Sequence, residues 1–89
     1  MWIAPREHCL VGECLESARK GAHVTQQELA SRLGKPQSFI SSYENGQRRV
    51  DVLEFLTILH VLNQDALPVF MEIRRRFLPA TDEKPSPYP

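Results

Sequence analysis

The segment Thr25-Gln26-Gln27-Glu28 leaves the backbone little choice. A Thr followed three residues later by Glu can cap a helix reciprocally: the hydroxyl accepts from the Glu28 amide while the carboxylate accepts from the Thr25 amide. A helix therefore starts at Thr25. Leu29, Ala30 and Leu33 give it one apolar side, and Gly34, which takes a left-handed backbone without strain, ends it early. Lys35-Pro36 restarts the chain, because proline at a first helical position forfeits no hydrogen bond that was not already missing. The next helix is expected over 36–44, with Phe39, Ile40 and Tyr43 turned inward, until Asn45-Gly46 stops it. Two short helices across a glycine-containing turn are compatible with few folds.

Helical spacing governs the rest as well. Leu10, Cys14, Leu15 and Ala18 form a stripe that predicts a first helix over 7–20. Gly12 lies inside that helix and weakens it by about 1 kcal/mol relative to Ala, a cost that close packing would explain. A fourth helix is capped by Asp51, and Val52, Leu53, Leu56, Leu59, Val61 and Leu62 make it apolar over most of its circumference, which places it at the centre of the core. A fifth is expected over 65–77, with Leu67, Val69, Phe70, Ile73 and Phe77 apolar and Arg74-Arg75-Arg76 suited to a helix C-terminus. No segment alternates as a half-buried strand would, so the fold class is all-α, a five-helix bundle. Four of the seven prolines fall in residues 79–89, which should be extended. The organisation expected is an N-terminal arm over 1–6, a helical domain over 7–78 and a proline-rich tail over 79–89.

Eighty-nine residues hold one core. No apolar run approaches the roughly 18–20 residues of a membrane span, and the N-terminus lacks a basic region followed by an apolar stretch, so a cytoplasmic location is expected. Cys9 and Cys14 stand five residues apart within one helix, where neither a disulfide nor a zinc-like spacing is indicated. His8, His23 and His60 are dispersed, and no nucleophile–base or paired-carboxylate arrangement stands out, so neither catalysis, metal nor cofactor is expected. Eleven basic residues balance eleven acidic ones. The charges are nevertheless partitioned: residues 18–49 carry six cations against two anions, while residues 50–73 carry four anions and no Lys or Arg. Such a basic half fits an anionic partner, although solvated helix faces can segregate charge by chance.

The outer positions of the third helix are Gln37, Ser38, Ser41 and Ser42. A helix-turn-helix inserts the N-terminal outer face of its second helix into the major groove, and Gln and Ser can bond base edges there. A solvated polar face would look the same if it stood alone. It does not: Val24 through Gly34, followed by Pro36-Gln37-Ser38-Phe39-Ile40-Ser41-Ser42-Tyr43-Glu44-Asn45-Gly46, resembles the Cro and lambda-repressor type of helix-turn-helix, the XRE family. The resemblance runs from about Leu15 to Gln64, and with Arg48-Arg49-Val50-Asp51 it is similar to short bacterial regulators that are little more than the DNA-binding domain.

The resemblance implies a bundle that binds operator DNA, usually as a symmetric dimer on a pseudo-palindromic site. It implies base reading by Gln37, Ser38 and Ser42, and backbone contacts by Gln26, Asn45, Gln47, Arg48 and Arg49, with Gln26 bracing the first reader; Ser41, from its place on the outer face, is a further base-reading candidate, and Thr25 and Lys35 are further candidates for backbone contact. This chain has His23 where many members have Gly, Lys35 where others have Val or Ile, and Ser42 where many have Lys or Arg. The apolar groups Leu67, Phe70, Ile73 and Phe77 exceed what one small core needs and are expected to form a two-fold interface. A regulator acting as a repressor, without a cofactor, is the function expected. The alternative is a helical interaction module, or an antitoxin, working through a protein partner, motivated by zero net charge, Trp2 and the proline-rich tail.

Overall fold

The computed structural model describes residues 2–78, and the proline-rich segment 79–89, expected to be extended, lies outside them. A 3-10 turn, Pro5–His8, leads into α1, Cys9–Gly21, so the helical path begins slightly before the expected Glu7. There follow α2, Gln26–Leu33, α3, Gln37–Glu44, α4, Val52–Val61, and α5, Ala66–Phe77. The described residues contain no strand, in agreement with the all-α, five-helix expectation. Among the described residues, no helix is long and apolar enough to cross a membrane.

The helix ends follow local chemistry. Thr25 Oγ1 accepts from the Glu28 amide at 3.0 Å and Glu28 Oε1 accepts from the Thr25 amide at 2.8 Å, closing the expected reciprocal cap. Asp51 and Glu54 repeat it at α4, at 2.8 and 3.0 Å, a second box beyond the simple cap expected there. Gly34 ends α2 in the left-handed region at φ 69°. Pro36 sits one position earlier than expected, as the residue that caps α3 with extended backbone, φ −71° and ψ 155°. α1 and α4 end alike: His23 and Asn63 both take φ 59°, and the amides that follow, Val24 and Gln64, return to Arg19 O and Leu59 O at 3.2 and 2.9 Å. His and Asn are among the few residues with side chains that accept this conformation.

The core gathers Leu15, Leu29, Ala30, Ile40, Tyr43, Phe55, Ile58, Leu59 and Leu62, with Val24 closing it from the α1–α2 turn. α4 is central as expected, but in a different rotation. Its buried residues are Phe55, Ile58 and Leu59, whereas Val52, Leu53 and Leu56 are 72%, 74% and 46% exposed. A helix apolar around most of its circumference has no polar side to fix its phase. Its orientation is set instead by α1 and α2, against which it packs. α5 lies along α1 and has no fully buried residue; Val69 and Ile73 pack against the rim of the core. Arg76 ties it to α1, donating to Glu13 Oε1 at 2.7 Å and to Cys14 Sγ at 3.5 Å. Cys9 and Cys14 are free thiols, and burial pushes the Cys14 thiol above its ordinary pKa.

α1 and α3 approach to backbone contact. A Cβ placed on Gly12 would stand 1.9 Å from the Tyr43 carbonyl oxygen, so only glycine permits this crossing. Tyr43 is 1% exposed, and among the described residues its hydroxyl has no hydrogen-bond partner. Burial raises its pKa well above the ordinary value, which keeps the phenol neutral. Because a buried hydroxyl without a partner costs more than it contributes, Tyr43→Phe should raise stability by about 1 kcal/mol in urea unfolding. A loss of stability of that size would mean that the hydroxyl is bonded in solution.

Candidate nucleic-acid interface

The turn between α2 and α3 presents the start of α3 outward while its other side is anchored. Ile40, Tyr43 and Glu44 are buried, whereas Gln37 and Ser38 are exposed, so these two side chains project from a fixed helix. Gln37 Nε2 donates to Gln26 Oε1 at 3.2 Å, Gln26 Nε2 donates to Glu44 Oε1 at 2.8 Å, and Glu44 is held by Arg19. Arg19 Nε and Nη2 donate to the two carboxylate oxygens at 2.8 and 3.1 Å, and Nη1 donates to the Val24 carbonyl at 2.8 Å. The two side chains are 9% and 1% exposed. Hydrogen bonding to Glu44 raises the Arg19 pKa further above its ordinary value. A chain of directed polar contacts thus runs from a buried ion pair on α1 and α3, through the first turn of α2, to the exposed tip of α3.

The other predicted site residues divide into two groups. Thr25, Lys35, Ser38, Asn45, Gln47 and Arg49 are exposed. Ser41 and Ser42 are half-buried: Ser41 Oγ accepts from Asn45 Nδ2 at 3.3 Å, and Ser42 Oγ donates to the Phe39 carbonyl at 2.9 Å. The loop after α3 folds back so that the Gln47 and Arg48 amides both reach the Ser42 carbonyl, at 2.8 and 3.2 Å. Gly46, at φ 78°, lies against the Cys9 side chain.

The surplus of positive charge in residues 18–49 is smaller in space than along the chain. Arg19 is bound to Glu44, Lys20 to Glu16 at 3.0 Å and Arg48 to Glu54 at 2.7 Å. Among the described residues, Arg32, Lys35 and Arg49 make no ion pair. Arg48 also lies 4.5 Å from the centroid of the Phe39 ring, with Lys35 Nζ 5.4 Å from the same ring. The hydrogen bond from Arg48, followed by that from the Asp51 amide, holds the Glu54 carboxyl below its usual value.

Three residues that position this site, Arg19, Glu44 and Glu54, escaped the sequence reading, and Phe39 was expected only to turn inward. A signal existed for the first two. Arg19 stands one helical turn after Leu15 and Glu44 one turn after Ile40, each a charge in phase with buried apolar residues, and the charges are opposite. Glu54 repeats the spacing from Asp51 that Glu28 has from Thr25. Among the described residues, no three His, Cys, Asp or Glu side chains converge as a metal site requires.

Two short helices across a left-handed glycine turn, the second offering exposed polar side chains at its N-terminus, define a helix-turn-helix domain. Comparison with known proteins agrees: a family model described as Helix-turn-helix matches residues 15–66. An XRE-family like protein from Pseudomonas syringae pv. tomato superposes with a TM-score of 0.70 at 37% identity, over 80% of this chain and 87% of that one. The clp gene regulator ClgR from Corynebacterium glutamicum superposes with a TM-score of 0.72 at 26% identity, over 86% of this chain and 83% of that one. No protein of curated function matches the chain significantly in sequence. The chain belongs to the XRE-type helix-turn-helix family of DNA-binding transcription regulators.

Proposed function

We propose that this protein binds a specific double-stranded operator and represses transcription by occluding a promoter, with the N-terminal part of α3 in the major groove. The observation that carries the reading is the braced pair Gln26–Gln37, which holds an exposed amide at the tip of an anchored helix. An amide held this way is suited to adenine, whose N6 amino group donates and whose N7 accepts. Gln37 and Ser38 are the principal readers. Ser41 and Ser42, half-buried and bonded within their own helix, contribute shape more than discrimination. Thr25, Gln26, Lys35, Asn45, Gln47 and Arg49 grip the sugar-phosphate backbone on either side, and phosphate contacts of this kind supply most of the sequence-independent affinity.

A single reading helix covers about half a turn of groove, so two copies spaced about 34 Å apart would bind a pseudo-palindromic site. Leu67 and Phe70, 69% and 54% exposed, form the outer part of the interface proposed for that dimer, with Ile73 and Phe77 on its inner side. The reading needs neither a cofactor nor a catalytic step, and it places the protein with the chromosome in the cytoplasm.

The test is a titration against DNA from the gene's own upstream region, with a random duplex as competitor. Tight binding by two chains per site is expected, and Gln37→Ala should lose about 5- to 150-fold in preference for the site while keeping its affinity for random DNA. A chain that is monomeric at tens of micromolar, with and without DNA, would remove the dimer. Binding no better than to random DNA from any promoter region, unchanged by Gln37→Ala, would favour the second reading, an interaction module or antitoxin. That reading has in its favour the exposed Trp2 and an apolar groove between α4 and α5 lined by Val52, Leu56, Leu67 and Phe70.

A further inference from the structure

Arg48 is among the residues for which the family resemblance implies phosphate contact, and its surroundings argue for another task. Nη1 donates to the Arg49 carbonyl at 2.9 Å and to Glu54 Oε1 at 3.2 Å, and Nη2 donates to Glu54 Oε2 at 2.7 Å. A guanidinium has five N–H groups, so three are already committed within the domain. Its plane is also occupied, lying 4.5 Å from the Phe39 ring centroid. Glu54 is equally engaged: besides Arg48 it accepts the Asp51 amide at 3.0 Å, which completes the cap of α4. One carboxylate therefore joins the loop after α3 to the start of α4, and the positive charge of Arg48 has its counter-charge in the same molecule. Arg49, one residue on, is exposed and makes no ion pair among the described residues.

We propose that Glu54 is a positioning residue for DNA binding: it holds Arg48 against Phe39 as a brace of the α3–α4 loop and withholds its charge from phosphate, leaving Arg49 as the cationic phosphate contact of this loop. The assignment rests on the DNA-binding reading above. Its functional consequence is a limit on indiscriminate affinity. A domain whose loop cations are partly neutralised from within binds random DNA less and depends more on base contacts for selection.

The slope of log affinity against log salt counts the phosphates neutralised, at about 0.9 per contact, and so separates a brace from a contact. The slope is measured on a random duplex and on the best site found. Arg49→Ala should flatten it by about 0.9, whereas Arg48→Met, which keeps an apolar stem over Phe39, should leave it unchanged. Glu54→Gln retains an oxygen for the Asp51 amide but releases Arg48. It should steepen the slope by about 0.9, so that affinity falls about 3.5-fold further than in the wild type between 50 and 200 mM salt. The double variant Arg48→Met, Glu54→Gln should return to the wild-type slope.

Asp51→Asn removes an equal charge nearby without freeing Arg48, and Asn still caps, so its slope should stay at the wild-type value. Circular dichroism of each variant confirms that the fold persists. A flattened slope in Arg48→Met, or an unchanged one in Glu54→Gln, overturns the assignment while leaving the DNA-binding reading intact. Absence of any salt-dependent DNA binding by the wild type overturns both.

Discussion

Glu44→Ala is expected to lower the unfolding free energy by about 3–5 kcal/mol, a large part of the margin of any small domain. The loss does not equal the strength of the ion pair. Arg19 would remain with its side chain 9% exposed, keeping one hydrogen bond to the Val24 carbonyl but no counter-charge, and it is this stranded cation that costs free energy. Gln26 would also lose the acceptor that aligns it with Gln37, so whatever DNA discrimination the protein has should weaken at temperatures where the variant is still folded. Thermal unfolding followed by circular dichroism measures the first effect, and the paired variant Arg19→Met, Glu44→Leu interprets it. With both charges gone, no ion is left buried, and most of the stability should return while the Gln26 alignment does not. A cost below about 1 kcal/mol for Glu44→Ala would mean that the pair is hydrated in solution.

Gly12→Ala sets two effects of opposite sign against each other. Helix propensity alone favours Ala over Gly in the middle of α1 by about 1 kcal/mol. Packing opposes it: the new methyl would lie 1.9 Å from the Tyr43 carbonyl oxygen and 2.9 Å from its carbon. These atoms belong to the backbone of α3 and have no rotamer through which to escape, so α1 and α3 must separate. Forcing extra volume into packed contacts costs up to about 3 kcal/mol, and separation of the helices would also stretch the Arg19–Glu44 bonds between them. Packing is therefore expected to win, with a net loss of about 2 kcal/mol and a fall in Tm of about 8–16 °C. A rise in Tm would mean that the two helices do not meet at Gly12.

Where the sequence could be read correctly, the cause lay within a few residues. Thr25 and Glu28 cap α2, Gly34 turns left-handed, and Asp51 caps α4. Those are local contests between a side chain and its own backbone, and local rules decide them. The rotation of α4 was not legible for the opposite reason. With apolar residues on nearly every side, Val52, Leu53 and Leu56 were as eligible for the core as Phe55 and Ile58, and only the neighbouring helices discriminate among them. Along the sequence, the twenty-five-residue separation of Arg19 and Glu44 likewise conceals a contact of 2.8 Å. The exposed faces of Gln37, Ser38 and Arg49 could be anticipated, but the commitment of Arg48 to Glu54 could not, because spacing alone does not tell a cation aimed at solvent from one folded back on its own domain.

The polar chain from Arg19 to Gln37 also bears on what could be transplanted. The helix-turn-helix motif proper begins near Thr25, yet the orientation of its leading amide is referenced to a guanidinium on the preceding helix, with Glu44 at the motif's far end as the intermediary. A graft of α2 and α3 onto a foreign scaffold would carry Gln26 and Gln37 without the guanidinium to which they are referenced. For the proposed recognition by Gln37, the smallest portable unit therefore starts at Arg19.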